Sequence, residues 1–196
     1  MALLPSSSSS SSSSSITYAF TYDVFLSFRG SDTRYSFTGN LYSALSDKGI
    51  HTYIDDEELH KGDEITPSLE KAIEKSRIFI IVLSKDYASS SFCLDELSKI
   101  LDCSHKESRL VWPVFYDVDP SDMRKQTGSF GEAMTLHTER FKDNKDKLQK
   151  WRMALQQVAN FSGWHFKHGY TFLIFCFFSS FFLLKFVSSN KSMNMI

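Results

Sequence analysis

Ile78-Phe79-Ile80-Ile81-Val82-Leu83 is an unbroken run of six apolar residues, most of them β-branched or aromatic. Such a run reads as a buried strand. The segments on either side of it follow a different period. Upstream, Thr66-Pro67 opens a helix with Pro67 suited to the first helical position, and Leu69, Ala72 and Ile73 form its inner face. Downstream, Leu94, Leu97, Ile100 and Leu101 repeat on one face of another helix. Further out the alternation continues. Asp23–Phe28 is a strand that ends at Arg29-Gly30-Ser31-Asp32, a turn opening a helix. Phe37, Leu41, Ala44 and Leu45 line that helix, which Gly49 ends. Ile50–Ile54 is a further strand. Leu110–Tyr116 is another, where Pro113 points to a bulge or an irregular end. A last helix carries Leu148, Trp151, Leu155, Val158 and Ala159 and stops near Gly163.

Strands that are near-continuously apolar and alternate with helices predict an α/β fold with a parallel sheet covered on both faces. In such folds the functional crevice lies outside the carboxyl ends of the strands. That rule selects Arg29-Gly30, Asp55-Asp56, Ser84-Lys85 and Asp117 as rim residues. The chain of 196 residues accommodates one domain of ordinary size with tails.

Composition narrows the function. Apolar residues make up 42% and charged residues 23%, as in a globular protein, and a net charge of −1 gives no positive field to gather nucleic acid. Cys93, Cys103 and Cys176 are odd in number and form no CxxC, which argues against a disulfide framework or zinc site and for a reducing cytoplasm. The six histidines lack metal-ligand spacing, and no GxGxxG, P-loop or GxSxG occurs. Lys142–Lys150 mixes both signs of charge and reads as a solvated helix start. Residues 1–17, with ten serines at Ser6–Ser15, read as a flexible leader, and Met1–Pro5 has no signal-peptide pattern. Residues 166–196 form a Phe-rich apolar tail. Its core at 171–187 is uncharged up to Lys185, and that stretch is somewhat shorter than the ~20 residues of a typical span. Two readings stay open for it: a membrane anchor or an incidental extension.

Four motifs between about Tyr18 and Gly163 resemble those of plant TIR (Toll/interleukin receptor) domains. Tyr22-Asp23-Val24-Phe25-Leu26-Ser27-Phe28-Arg29-Gly30-Ser31-Asp32-Thr33-Arg34 resembles the family's opening strand and loop. Asp55–Ile65 is similar to its BB loop, Phe92-Cys93-Leu94-Asp95-Glu96-Leu97 to the helix bearing its catalytic glutamate, and Pro113–Asp122 to its fourth strand and exit loop. The resemblance implies a TIR domain over residues 18–165. Its fold would be flavodoxin-like, a five-stranded parallel sheet in the order 2-1-3-4-5 with helices on both faces. It further implies self-association with other TIR domains and hydrolysis of NAD⁺ as substrate, without cofactor or metal. Glu96 would be catalytic, with Phe28, Arg29, Gly30 and Phe92 toward the substrate. Asp55, Asp56, Leu59, Gly62 and Ile65 would belong to a BB loop that reorganises on assembly. Phe37, Gly39 and Asn40 would lie on the self-association helix.

The chemistry asks for one carboxylate. Nicotinamide leaves readily because cleavage neutralises its ring, so the barrier lies in the positive oxocarbenium character of the ribose, which a carboxylate stabilises. Periodicity alone reads Glu96 as a solvated residue favoured near a helix N-terminus; the motif gives it the catalytic reading. Asp95 is expected at the surface and Asp32 as a helix N-cap. Two positions depart from the family: Phe92 stands where plant members usually carry Trp, and Gly39-Asn40 where many carry Ser-His. No Walker A motif and no leucine-rich period follows, so a TIR-only chain is expected. The alternative to an NAD⁺ nucleosidase is a non-catalytic adaptor or decoy acting through TIR–TIR binding.

Overall fold

The computed structural model describes residues 20–55 and 65–167. The serine leader, residues 168–196 of the apolar tail, and Asp56, Leu59 and Gly62 of the BB loop lie outside them, while Phe166, assigned to the tail, belongs to the last strand. Five strands, β1 (Tyr22–Phe28), β2 (Thr52–Ile54), β3 (Ser76–Leu83), β4 (Leu110–Tyr116) and β5 (Trp164–Phe166), form one sheet in the order β2-β1-β3-β4-β5. All four pairings are parallel. This is the flavodoxin-like order expected from the motifs. Seven α-helices connect the strands among the described residues: α1 (Gly30–Thr33), α2 (Gly39–Ser46), α3 (Pro67–Glu74), α4 (Ser91–Glu107), α5 (Pro120–Lys125), α6 (Gly128–Arg140) and α7 (Lys145–Val158).

Strand alternation divides the core in two. Val24, Leu26, Phe28, Ile78, Ile80 and Val82 pack with Phe37, Leu41 and Leu45 on the α2 face. Phe25, Phe79, Ile81 and Leu83 pack against α3, α4, α6 and α7 on the other. Both side-chain sets of β3 are buried, which is why its sequence is an uninterrupted apolar run. Each such side chain contributes roughly 1.5–3 kcal/mol on leaving water.

The helix boundaries follow local chemistry. Thr66 caps α3 by accepting from the Leu69 N–H, with Pro67 next to it, and Gly49 takes a φ of +72° past the end of α2. Pro113 makes no bulge: it stays in register opposite Ile81. Its carbonyl faces Gly163, and β5 starts only at Trp164, so its missing N–H removes no bond to β3. Gly163 is needed for this approach, since a Cβ there would sit 2.5 Å from the Pro113 carbonyl oxygen.

Between α1 and α2 the helix widens into a π-helical turn, Arg34–Thr38. This turn corrects one expectation and explains another residue. Phe37 is only 2% exposed and packs on Tyr116 and Phe166 at ring distances of 5.2 and 5.4 Å. It is a core residue and has no face to offer a second domain, whereas Asn40 is exposed. Gly39 closes the π-turn, where an added Cβ would lie 2.4 Å from the Arg34 carbonyl oxygen. Glycine is required there by the backbone. Replacing helical Gly by Ala ordinarily stabilises by up to about 1 kcal/mol. At this position the sign reverses: Gly39→Ala is expected to cost about 1–3 kcal/mol in urea unfolding, while Asn40→Ala stays within about 0.5 kcal/mol. A stabilised Gly39→Ala protein would contradict the π-turn's dependence on glycine.

Candidate active site

The cleft lies where the sheet order reverses, at the carboxyl ends of β1 and β2 and beside the start of α4. It encloses about 380 Å³ and is lined by Leu26, Phe28, Arg29, Gly30, Ser31, Arg34, Asp55, Ser90, Phe92, Cys93 and Glu96. Five of the expected residues therefore line one cleft together with Asp55: Phe28, Arg29, Gly30, Phe92 and Glu96. Ile65, at the far end of the BB loop, packs against the core.

Helix α4 builds one side of the cleft. Ser90 caps it by accepting from the Cys93 N–H at 3.2 Å. Phe92, Cys93 and Glu96 then fall on one helical face by their i, i+3 and i+4 spacing and look into the cleft. Glu96 is only 4% exposed, and its Oε1 has no hydrogen-bond partner among the described residues. Burial pushes its carboxyl up to about 8. The Ser27 hydroxyl opposes this, and the Asp55 charge adds to it. The solvated-glutamate reading is thereby excluded. Cys93 donates its thiol hydrogen to the Phe28 carbonyl at 3.8 Å, and burial first, then Glu96, pushes the thiol up to about 12. It is an inert structural thiol at neutral pH.

The opposite wall comes from the turn after β1. Arg34 lies over the Phe28 ring at 5.0 Å and donates to the Asp55 carbonyl at 2.7 Å, tying the end of β1 to the end of β2. Gly30 leaves room for this side chain, since a Cβ would meet its guanidinium at 3.3 Å. The close approach that Gly30 permits is thus made by Arg34. Arg29 pairs with Asp32 at 3.1 Å and with Asp86 at 3.8 Å. Asp32 is not an N-cap: Arg29 occupies that position, and Asp32 accepts from Arg29, from Ser31 and, at 2.5 Å, from Ser84. It fastens the turn to the end of β3.

Asp95 is likewise not a free surface residue. It accepts from Trp151 Nε1 at 2.8 Å and pairs with Lys147 at 2.9 Å, which holds α4 to α7. Residues the sequence reading did not single out are Ser27, Tyr87 and Arg34. Ser27 was visible as the lone hydroxyl in the run Val24–Phe28, a buried polar residue that needs a partner. Tyr87 stands in a short turn without periodicity.

The TIR domain family model matches residues 21–174. The chain belongs to the TIR family. The matched TIR domain is 56% identical over 151 residues to the disease resistance protein RPV1 of Vitis rotundifolia, covering 77% of this chain and 10% of that protein. It is 50% identical over 143 residues to the TMV resistance protein N of Nicotiana glutinosa, covering 73% of this chain and 12% of that protein. The chain thus spans about a tenth of the length of these relatives. Among solved structures, the TIR domains of the activated Roq1 resistosome, which directly recognises the pathogen effector XopQ, match with a TM-score of 0.70 and 52% identity. The match covers 74% of this chain and 87% of that one. No helix among the described residues of this TIR domain is long and apolar enough to cross a membrane.

Proposed function

We propose that this TIR domain hydrolyses NAD⁺ at the nicotinamide–ribose bond when self-associated, and that it signals in plant defence. The observation that carries the catalytic reading is Glu96: a carboxyl buried in the wall of an open cleft, with one oxygen unpartnered among the described residues. A buried carboxyl with an unpartnered oxygen is costly to keep and is characteristic of a functional site. Its ionised form would face the ribose, where positive charge grows as the bond to nicotinamide lengthens. Nicotinamide departs with the bonding electron pair, which neutralises its ring. Water then adds to the anomeric carbon and loses a proton to give ADP-ribose. The cationic ring of bound NAD⁺ would itself favour the Glu96 carboxylate. Phe28 and Phe92 offer aromatic surface to a flat ring. Arg29 would serve a phosphate by exchanging Asp32 for it. The defence role rests on the names of the relatives, and the role of assembly on the Roq1 resistosome.

The test is nicotinamide release from NAD⁺ by a concentrated preparation of the full chain. Glu96→Ala is expected to lower turnover by about a hundredfold or more, and specific activity is expected to rise with protein concentration. Equal inertness of wild type and Glu96→Ala under assembling conditions would leave the adaptor reading.

A further inference from the structure

Behind Glu96, on the side away from the cleft, lies a short chain of buried polar groups. Ser27 Oγ is 2.8 Å from the Tyr87 hydroxyl, and that hydroxyl donates to the Cys93 carbonyl at 3.1 Å. Ser27 and Tyr87 are fully buried. Ser27 is also the hydroxyl that lies against the Glu96 carboxyl. Strand alternation puts Ser27 on the α4 face of β1, with Phe25, while its neighbours Leu26 and Phe28 face α2.

Each hydroxyl has one proton to give. Tyr87 gives its own to the Cys93 carbonyl, so the 2.8 Å contact requires Ser27 to donate to the Tyr87 oxygen. Ser27 then has only lone pairs left for Glu96, and it can accept from a protonated carboxyl but cannot serve a carboxylate. When Glu96 loses its proton to water in the cleft, Ser27 must turn its hydrogen to the carboxylate. The Tyr87 oxygen then gives up its donor. We propose that Ser27 and Tyr87 are positioning residues forming a hydroxyl relay, in which Tyr87 competes with Glu96 for the single Ser27 proton and so holds the carboxyl back from ionising.

The other groups around Glu96 do not replace this control. Burial raises the Tyr87 phenol well above its ordinary value and the Cys93 thiol to about 12, so both keep their protons through the range in which Glu96 titrates. Asp55, across the cleft, adds a repulsive charge. Arg29 is engaged by Asp32 and Asp86, and Arg34 donates to the Asp55 carbonyl. Lys147 faces Asp95 on the far side of α4.

Opposite shifts from two neighbouring hydroxyls distinguish a relay from general packing. The midpoint of Glu96 is read by carbon-detected NMR on full chain labelled at the glutamate carboxyl, with Glu96→Gln to assign the signal. Tyr87→Phe frees the Ser27 proton and should lower the midpoint by about one pH unit, and Ser27→Ala should raise it by a similar amount. The double variant should match Ser27→Ala, because Tyr87 acts only through Ser27. If Ser27→Ala does not fold, Ser27→Cys, of similar shape but a weaker donor, should also raise the midpoint. Shifts in the same direction, or none, would overturn the relay. Its bearing on turnover rests on the nucleosidase reading, under which the pH profile of kcat/KM should move with the midpoints. Midpoints that move as expected in a chain consuming no NAD⁺ would sustain the relay and remove that reading alone.

Discussion

Glu96→Gln is expected to stabilise the domain by roughly 4–5 kcal/mol at pH 9, by only about 1 kcal/mol or less at pH 5, and hardly at all below about pH 4. The folded carboxyl sits at about 8 against an ordinary value of 4.5. Between those values the folded state holds a proton that the unfolded chain has released, so stability falls as pH rises through that window, by at most about 1.4 kcal/mol per pH unit. Below the window both states are protonated and the carboxyl behaves much as the neutral amide does. Above it the wild type carries an ionised group on a side chain that is almost fully buried, and the glutamine does not. Urea midpoints at several pH values measure the difference, in which the other titrating groups cancel. Stability curves of the two proteins that run parallel from pH 5 to pH 9 would show that Glu96 is not held protonated. The catalytic arm has the opposite sign. If the carboxylate is the working form, kcat/KM rises with pH through about 8. Activity would then increase over the same interval in which stability declines, which is the cost of keeping a charged group dry.

How far the sequence reaches is visible in these same residues. The run Ile78–Leu83 reveals β3 because burial on both faces leaves no room for a polar residue, and the flanking 3.6-residue periods place α3 and α4 around it. The strand–helix alternation therefore predicts a parallel sheet. The fifth strand is three residues long, too short for any period to show. Helix α6 carries the helical period in Phe130, Ala133, Met134 and His137 at i, i+3, i+4 and i+7. At the site, periodicity by itself reads Glu96 as a solvated residue, and the motif overrides it. The motif could not separate two meanings of a similar position: Phe37 and Asn40 both lie in the segment assigned to assembly, yet only Asn40 is exposed. Nor could it reveal Ser27 and Tyr87, sixty residues apart, whose contact exists only once β1 and the turn after β3 are side by side.

Trp151→Ala is expected to cost about 3–5 kcal/mol, and its consequences extend to the cleft through Asp95. The indole is fully buried, lies edge-on to His137 and Phe141 at 5.1 and 5.2 Å, and donates Nε1–H to Asp95. Lys147, one turn earlier on α7, holds the other oxygen of the same carboxylate. Two bonds from α7 thus fix the rotation of α4 at the residue beside Glu96. Successive residues on a helix point about 100° apart, so anchoring Asp95 toward α7 turns Glu96 toward Ser27 and the cleft. Asp95→Asn keeps an acceptor for the indole and loses only the charge attraction to Lys147, so it should cost less than Asp95→Ala. Asp95→Ala strands the indole N–H in the core and should cost about 1–3 kcal/mol. A double-mutant cycle of Asp95→Ala with Trp151→Phe separates the bond from packing, since Phe has no donor to strand, and a coupling of about 1 kcal/mol is expected. Turnover should follow the same order, with Asp95→Asn near wild type and Asp95→Ala reduced even where the protein is folded. If Asp95→Ala and Asp95→Asn were equal in both stability and turnover, α4 would owe its orientation to its apolar face alone, through Leu94, Leu97, Ile100 and Leu101.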